Sequence, residues 1–317
     1  NEGGNGLYGG KNKELLRGVR EMNGGKHKSV LITGGSGFIG KHLVRKFAEN
    51  NYSVTIFDLQ EPDTEYPGFV KGDIFDLETL RKAVENSDAV VHLVGLANAG
   101  EAQKDPMKSF RLNVLSLQNV LEACRISGKK KIVFPSSAAV YGITEDLPIK
   151  ESFPLNPTNI YSWHKMICER MIQAYQKNYG IQYVILRLFN VYGRGHKGVI
   201  DVFINKAKKG EIIESFGPYQ YRDFVYAGDV AEAMYRAVVY DKAYNRCVNI
   251  GSGRGIQIRE ILEMICEIFP HARWKEVKTE FVMYDSIADV MLAKILLDFN
   301  PNSSREFMKR IIEEEMI

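Results

Sequence analysis

Ser29-Val30-Leu31-Ile32-Thr33-Gly34-Gly35-Ser36-Gly37-Phe38-Ile39-Gly40 decides how the rest of the chain is read. A short run of Val, Leu and Ile breaks into glycines at 34, 37 and 40, and the spacing predicts a helix directly behind them, over 42–50. The order is strand, tight turn, helix. Glycine carries no Cβ, so Gly34 and Gly37 can take a left-handed backbone or admit a ligand against their amides, while Gly40 lets the helix lie close on the strand. The first turn of that helix aims unpaired N–H groups, and the positive end of its dipole, at whatever lies over the loop. A diphosphate suits that place.

The next unit sharpens this. Ser53-Val54-Thr55-Ile56-Phe57 reads as a second buried strand and ends on Asp58, eighteen residues past Gly40. A carboxylate there can accept both ribose hydroxyls of an adenosine and repels a 2′-phosphate. Leu59 and Gln60 follow, with no arginine to receive such a phosphate, so NAD is expected rather than NADP.

Composition sets the bounds. The 317 residues are 45% hydrophobic and 26% charged, ordinary for a globular chain with room for one large domain or a domain with an appended lobe. A net charge of +3 is too small and too evenly spread for a nucleic-acid surface, and the basic run Lys129-Lys130-Lys131 reads as a helix end before a strand. Cys124, Cys168, Cys247 and Cys266 form no C-x-x-C pair, which indicates neither a zinc site, nor any other metal centre, nor a redox motif. No apolar run reaches the roughly 18 residues of a membrane span and nothing resembles a secretory signal, so a cytoplasmic protein without a membrane partner is expected. Residues 1–28 are glycine-rich without an apolar period and read as an N-terminal arm outside the core, in which Met22 could be a native start.

From Ser29 onward strands and helices alternate, the pattern of an α/β fold with a parallel sheet covered on both faces. Gly68–Ile74 is expected to be a third strand, with Asp73 reaching an adenine amino group and Ile74 against the ring. Helical spacing over 77–84 precedes a fourth strand over 89–95, in which His92 has no acidic partner at a useful spacing and reads as a core histidine. Gly95 and Ala97 are small where a cofactor would cross the strand ends. The long amphipathic stretch over 105–127 contains Asn113, polar among apolar neighbours, which either satisfies a loop carbonyl or orders the floor of an active site. A fifth strand over 131–137 runs into Ser136-Ser137-Ala138-Ala139-Val140-Tyr141-Gly142, and ligands of such sheets bind just beyond the carboxyl ends of strands.

Tyr161-Ser162-Trp163-His164-Lys165 heads the next helical segment. A Tyr and a Lys four apart share one helical face, one turn from each other. The Lys165 ammonium, with a positive nicotinamide ring, is expected to bring the Tyr161 phenol from about 10 toward neutrality and make it a general base.

With the glycine loop, Asp58, Ser137 and the Tyr161/Lys165 pair in hand, the chain resembles the extended short-chain dehydrogenase/reductases, specifically their NAD-dependent nucleotide-sugar epimerase/dehydratase branch. Leu186-Arg187-Leu188-Phe189-Asn190-Val191-Tyr192-Gly193, Tyr221-Arg222-Asp223-Phe224-Val225-Tyr226 and Val248-Asn249-Ile250-Gly251-Ser252-Gly253 carry the likeness, which spans about residues 29–315. It implies a Rossmann-type doubly wound sheet over 29–186 and a smaller C-terminal lobe over 187–317, some of whose segments return to the first domain. It also implies NAD contacts at Phe38, Ile39, Leu93 and Asn113, beside Gly34, Gly37, Gly40, Asp58, Asp73, Ile74, Gly95, Tyr161 and Lys165. A nucleotide-diphosphate sugar is the implied partner, held by Ser137, Asn190 and Arg222; a rival reading pairs Arg222 with Asp223 or Asp229. The likeness further implies a homodimer built on the segments 105–127 and 157–179.

Two departures bear on the reaction. Relatives that eliminate water usually carry an Asp-Glu pair just after the active-site hydroxyl, and decarboxylating ones a glutamate; here stand Ala138 and Ala139. Many relatives place an arginine ahead of the Ala-Asp turn near the C-terminus, and Val282-Met283-Tyr284-Asp285-Ser286-Ile287-Ala288-Asp289 has none. The expected reaction is epimerisation at C4 of a nucleotide hexose through a 4-keto sugar. A dehydratase or reductase using the same Tyr161 and Lys165 is the rival among enzymes, and a non-catalytic NAD-sensing protein the rival outside them.

Overall fold

Twelve strands and eleven α-helices follow from this pattern in the computed structural model, which describes residues 28–317 apart from 64–65, 67, 129–130 and 279–283. The expected arm up to residue 27, with Met22, lies outside the described residues, as do Lys129, Lys130, Val282 and Met283. The strands are β1 (Ser29–Thr33), β2 (Ser53–Asp58), β3 (Phe69–Lys71), β4 (Ala89–His92), β5 (Lys131–Ser137), β6 (Gln182–Leu188), β7 (Asn190–Tyr192), β8 (Ile213–Ser215), β9 (Tyr221–Tyr226), β10 (Arg246–Ile250), β11 (Gly255–Gln257) and β12 (Trp274–Glu276). The helices are α1 (Phe38–Glu49), α2 (Leu77–Glu85), α3 (Ala99–Lys104), α4 (Pro106–Phe110), α5 (Ser116–Ile126), α6 (Ile160–Tyr179), α7 (Val199–Lys208), α8 (Ala227–Val239), α9 (Ile258–Ile268), α10 (Met291–Leu297) and α11 (Arg305–Ile311).

Seven strands form one parallel sheet in the order β10-β6-β5-β4-β1-β2-β3. Val30 of β1 lies beside Val54 of β2 on one side and Ala89 of β4 on the other. The strand order reverses between β1 and β4, which opens a crevice at their carboxyl ends, where a dinucleotide lies in sheets of this kind.

Both faces of the sheet are covered, which explains why its strands read as nearly continuous apolar runs. On one face Val30, Ile32, Val91, Val133 and Val184 pack with Leu43 and Phe47 of α1 and Met234 and Ala237 of α8. On the other, Leu31, Val90, Ile132 and Ile185 meet Leu80 of α2, Leu117 and Leu121 of α5, and Ile172 of α6. Each such side chain contributes about 1.5–3 kcal/mol by leaving water. Segments from the C-terminal half therefore complete the first unit: β10 closes the sheet edge beside β6 and α8 lies on α1. A second, smaller unit combines the sheet β11-β9-β7, the pair β12-β8, and α7, α9 and α11 around Phe203, Ile204, Phe224, Leu262, Ile265 and Met308.

Four local elements depart from the expected pattern, two of them only in length: β3 is Phe69–Lys71 rather than 68–74, and β4 is Ala89–His92 rather than 89–95. Helix α1 begins at Phe38 rather than at residue 42, so Gly40 sits inside its first turn, where a Cβ would come within 2.4 Å of the Gly35 carbonyl oxygen. The amphipathic stretch over 105–127 is a continuous helical run, but a π-helical turn, Arg111–Leu115, separates α4 from α5. Such turns often mark functional sites, and this one contains Asn113. Among the described residues, no helix is long and apolar enough to cross a membrane.

Candidate active site

The glycine loop joins β1 to α1 at the crevice. Gly34 takes φ +74°, and a Cβ there would stand 2.9 Å from the Val94 amide nitrogen, so no other residue fits without moving the backbone. Gly37 is the N-cap of α1 in extended conformation, and no side chain caps the helix. Its first amides are thus directed at the crevice, as a diphosphate requires. At the end of β2, Asp58 accepts from the Ser36 amide (3.1 Å, Oδ2) and the Gln60 amide (3.1 Å, Oδ1). A bare glycine turn, uncapped amides and a carboxylate one strand away together fit NAD.

The rest of the crevice is built by loops after β3 and β4. Asp73 Oδ1 accepts from the Phe75 amide at 3.0 Å. Ile74 is 5% exposed, packs in the core and gives its carbonyl to Asn119, which leaves only an edge for the expected contact with an adenine ring. Leu93 continues the β4 ladder by donating its amide to Thr33 O, and Gly95 lies against Asn113, whose Oδ1 would be 2.6 Å from a Cβ. Both readings of Asn113 meet in one contact: it accepts from the Leu96 amide (2.9 Å) and donates to the Leu96 carbonyl (3.2 Å), so satisfying the loop is what orders it.

Ser137, Tyr161 and Lys165 converge at the end of β5. A capping box between Asn159 and Ser162 starts α6 and fixes Tyr161 in its first turn. The Tyr161 hydroxyl faces Ser137, whose Oγ accepts from the Ala139 amide at 3.2 Å. Lys165 donates to the Pro135 carbonyl at 2.8 Å and lies 4.6 Å from the Phe134 ring centroid and 5.9 Å from that of Tyr161. Burial pushes the Tyr161 phenol up to about 12, against the opposing pull of the Ser137 hydroxyl. The sequence-based expectation of a phenol near neutrality is therefore not met by the polypeptide alone. Burial also lowers the Lys165 ammonium, and its bond goes to the backbone rather than to the phenol. The Lys165 charge reaches a phenolate at Tyr161 only across the ring, and the positive ring of an oxidised cofactor would add to it.

Sequence reasoning missed the polar network beneath these residues. Ser136 donates to Glu169 Oε1 at 2.6 Å, and Arg187 of β6 grips Glu169 through Nε (3.0 Å) and Nη2 (2.7 Å). Arg187 Nη1 donates to the Tyr141 hydroxyl at 2.9 Å, and that hydroxyl donates to Asn249 Oδ1 at 2.6 Å. Lys165 and Glu169, one helical turn apart on α6, thus hold Pro135 and Ser136 of β5, and Tyr161, one turn earlier, faces Ser137. The available signal was a charged residue inside the apolar run Val184-Ile185-Leu186-Arg187-Leu188. His92 is the core histidine its sequence context implies: it bonds Thr33 Oγ1 at 2.7 Å and Ser116 Oγ at 3.2 Å. Because the Ser116 hydroxyl donates to the Leu112 carbonyl, Nε2 carries the proton and Nδ1 accepts from Thr33.

Across the crevice, Asn190 is exposed and donates to the Asp223 carbonyl at 3.0 Å. Arg222 stacks on Tyr284, 4.6 Å from its ring centroid, and donates to the Tyr284 carbonyl and to Gln220 Oε1 (3.1 Å). Its rival pairing does not form. Asp223 instead accepts from the Ser252 amide and hydroxyl and from the Gly253 and Ala288 amides, and Asp229 from the Asn302 amide. Ala138 and Ala139 form the 3₁₀ turn after Ser137 and bring no acid or base.

Comparison with known proteins bears on the fold and the cofactor. The profile described as the NAD dependent epimerase/dehydratase family matches residues 30–251. A protein described as a putative UDP-glucose 4-epimerase of Methanocaldococcus jannaschii is 39% identical over 252 residues, 74% of this chain and 81% of that protein. The UDP-N-acetylglucosamine 4-epimerase of Methanobrevibacter ruminantium M1, solved with UDP-N-acetylmuramic acid, superposes with a TM-score of 0.83 at 29% identity, over 92% of this chain and 98% of that one. The UDP-glucose 4-epimerase of Brucella ovis, solved with NAD, gives 0.83 at 31% identity over 90% and 96%.

Proposed function

The chain belongs to the NAD-dependent epimerase/dehydratase family, and from that premise we infer that it is an NAD-dependent epimerase acting at C4 of a nucleotide-diphosphate sugar, with Tyr161, Ser137 and Lys165 as its catalytic residues. The observation that carries the assignment of residues is the convergence of these three side chains at the end of β5, one strand from the crevice. Ala138 and Ala139, where eliminating relatives usually carry an acid and a base, argue against a dehydratase.

Bound NAD supplies the hydride acceptor and, in the return step, the hydride donor. Tyr161 takes the proton of the 4-hydroxyl, and Ser137 holds the same oxygen. Lys165, tied to the Pro135 carbonyl, keeps a positive charge under the phenol ring and is the group to hold the nicotinamide ribose. The 4-keto sugar turns, presents its other face and takes the proton back from Tyr161, so no external reductant is consumed. Arg222, prepositioned on Tyr284, is the diphosphate ligand, its planar fork matching phosphate oxygens, and Asn190 lies beside it on the adjacent strand β7. Gly34–Gly40, Asp58, Asp73, Leu93 and Asn113 form the cofactor side. Residues 29–186 with the returning β10 and α8 make the cofactor domain, and the remainder the substrate lobe.

Following C4 stereochemistry by NMR over a panel of nucleotide sugars tests the reaction. Tyr161→Phe is expected to lower kcat by about 10²–10⁴-fold with NAD still bound; undiminished turnover would overturn the assignment. The protein works as a homodimer across α4–α5 and α6, which expose Met107 (76%), Leu115 (44%), Trp163 (48%) and Tyr179 (52%). Light scattering distinguishes a dimer from a monomer. The four cysteines, all free, suit the reducing cytoplasm.

A further inference from the structure

The loop between β7 and α7 crosses from the substrate lobe onto the glycine loop. It reads Gly193-Arg194-Gly195-His196-Lys197-Gly198, and the reaction as described uses none of it. His196 stacks on Phe38, with centroids 4.9 Å apart and planes 30° from parallel. Phe38 is the first residue of α1, whose uncapped amides form the diphosphate cradle.

Three glycines make the stack possible. Gly193 (φ +146°) and Gly195 (φ +88°) turn the loop so that it runs over the Phe38 ring, which a Cβ on Gly193 would approach at 3.5 Å. At Gly198, the N-cap of α7, a Cβ would stand 2.4 Å from the His196 ring, so the imidazole is seated between a bare backbone and an aromatic face. A backbone bond from the His196 amide to the Gly193 carbonyl, 3.2 Å, closes the turn. Phe38 also meets His42 edge-on at 6.1 Å, and His42 meets Tyr226 of β9 at 5.7 Å, so a row of rings ties α1 to the second lobe.

We propose that residues 193–198 are a strap that retains the dinucleotide, fastened by the stack of His196 on Phe38, and that NAD leaves only when this stack opens. The proposal rests on the reading of Gly34–Gly40 as the NAD loop. An enzyme that regenerates its cofactor within each turnover gains from slow release, and the strap supplies it from the lobe that holds the sugar. His196 is a positioning residue: it acts through Phe38 and touches no reacting atom.

The test loads the protein with NADH, chases with excess NAD and follows the loss of bound-NADH fluorescence. His196→Ala is expected to release NADH roughly 2- to 12-fold faster, the range for loss of one aromatic pair. His196→Phe, which restores a stacking ring, is expected to release it at the wild-type rate, and circular dichroism checks that both variants are folded. Equal rates for wild type and His196→Ala overturn the strap while leaving the cofactor reading intact. A His196→Phe protein as fast as His196→Ala overturns stacking as its fastening. A wild-type protein that binds no dinucleotide overturns the cofactor reading, and the strap with it.

Discussion

Arg187→Met is the most informative single perturbation, because it separates the buried network from Ser137, Tyr161 and Lys165 above it. The guanidinium side chain is 5% exposed and its partner Glu169 1%, so the change leaves a carboxylate out of water with the Ser136 hydroxyl as its remaining partner. Tyr141 and the Glu151 carbonyl lose donors at the same time. Removing one member of a buried ion pair costs about 3–5 kcal/mol, a large share of the 5–15 kcal/mol that holds a domain together. With an unfolding entropy of about 2.1 cal/mol/K per residue, this corresponds to a Tm lowered by about 5–8 °C. Urea titration of wild type, Arg187→Met, Glu169→Leu and the double variant measures it. The double variant is expected to recover part of the loss, since no unpaired charge remains, although Ser136 and Tyr141 stay short of partners. Turnover should fall in Arg187→Met as well, because Ser136 and Ser137 are neighbours on β5. A loss below about 1 kcal/mol in Arg187→Met would refute the reasoning, since that is what an exposed pair is worth.

Two further predictions concern charge. Burial, reinforced by the Lys165 charge, lowers the His92 imidazole from 6.5 to about 3, so the unfolded chain binds a proton there that the folded one refuses. The stabilisation is complete above the unfolded value and falls away as pH drops from 6.5 toward 3, by about 2–3 kcal/mol between pH 7.5 and 4.5. His92→Gln should flatten that part of the denaturation profile; an unchanged slope would count against it. Asp58→Ala should weaken NAD roughly 10- to 100-fold, as loss of charged hydrogen bonds does, and should narrow the preference over NADP. Titration with both dinucleotides reads each effect.

What the sequence could disclose was set by the range of the interactions involved. The strand–turn–helix at Gly34–Gly40 and the one-turn spacing of Tyr161 and Lys165 are local, and geometry carries both directly from sequence into space. Helix α1 starts earlier than its apolar period suggests because Gly40 is needed inside the helix for the close approach to Gly35. The π-helical turn at Arg111–Leu115 was hidden because one inserted residue barely disturbs an amphipathic period. Arg187 and Glu169 stand eighteen residues apart on different elements, so nothing local announced their pairing. The burial of the Tyr161 phenol was hidden for a related reason: its neighbours along the helix are legible, but its burial depends on the whole crevice. Arg222 found Tyr284 rather than an acid because Asp223, the adjacent candidate, is consumed by amides from two distant turns.

Because β10 and α8 come from residues 227–250, the sheet cannot be finished as it is synthesised. After Leu188 has left the ribosome, sixty-two more residues must follow before Ile250 can close the β6 edge. At roughly 5–20 residues per second, that interval lasts about 3–12 s. Until α8 has emerged, Val30, Val133, Val184 and Leu186 lack their cover from it, and throughout the interval β6 offers an unpaired parallel edge to other nascent chains. Slow codons placed between residues 188 and 250 would lengthen that exposure and lower the yield of folded protein, whereas the same codons after residue 300 would cost little.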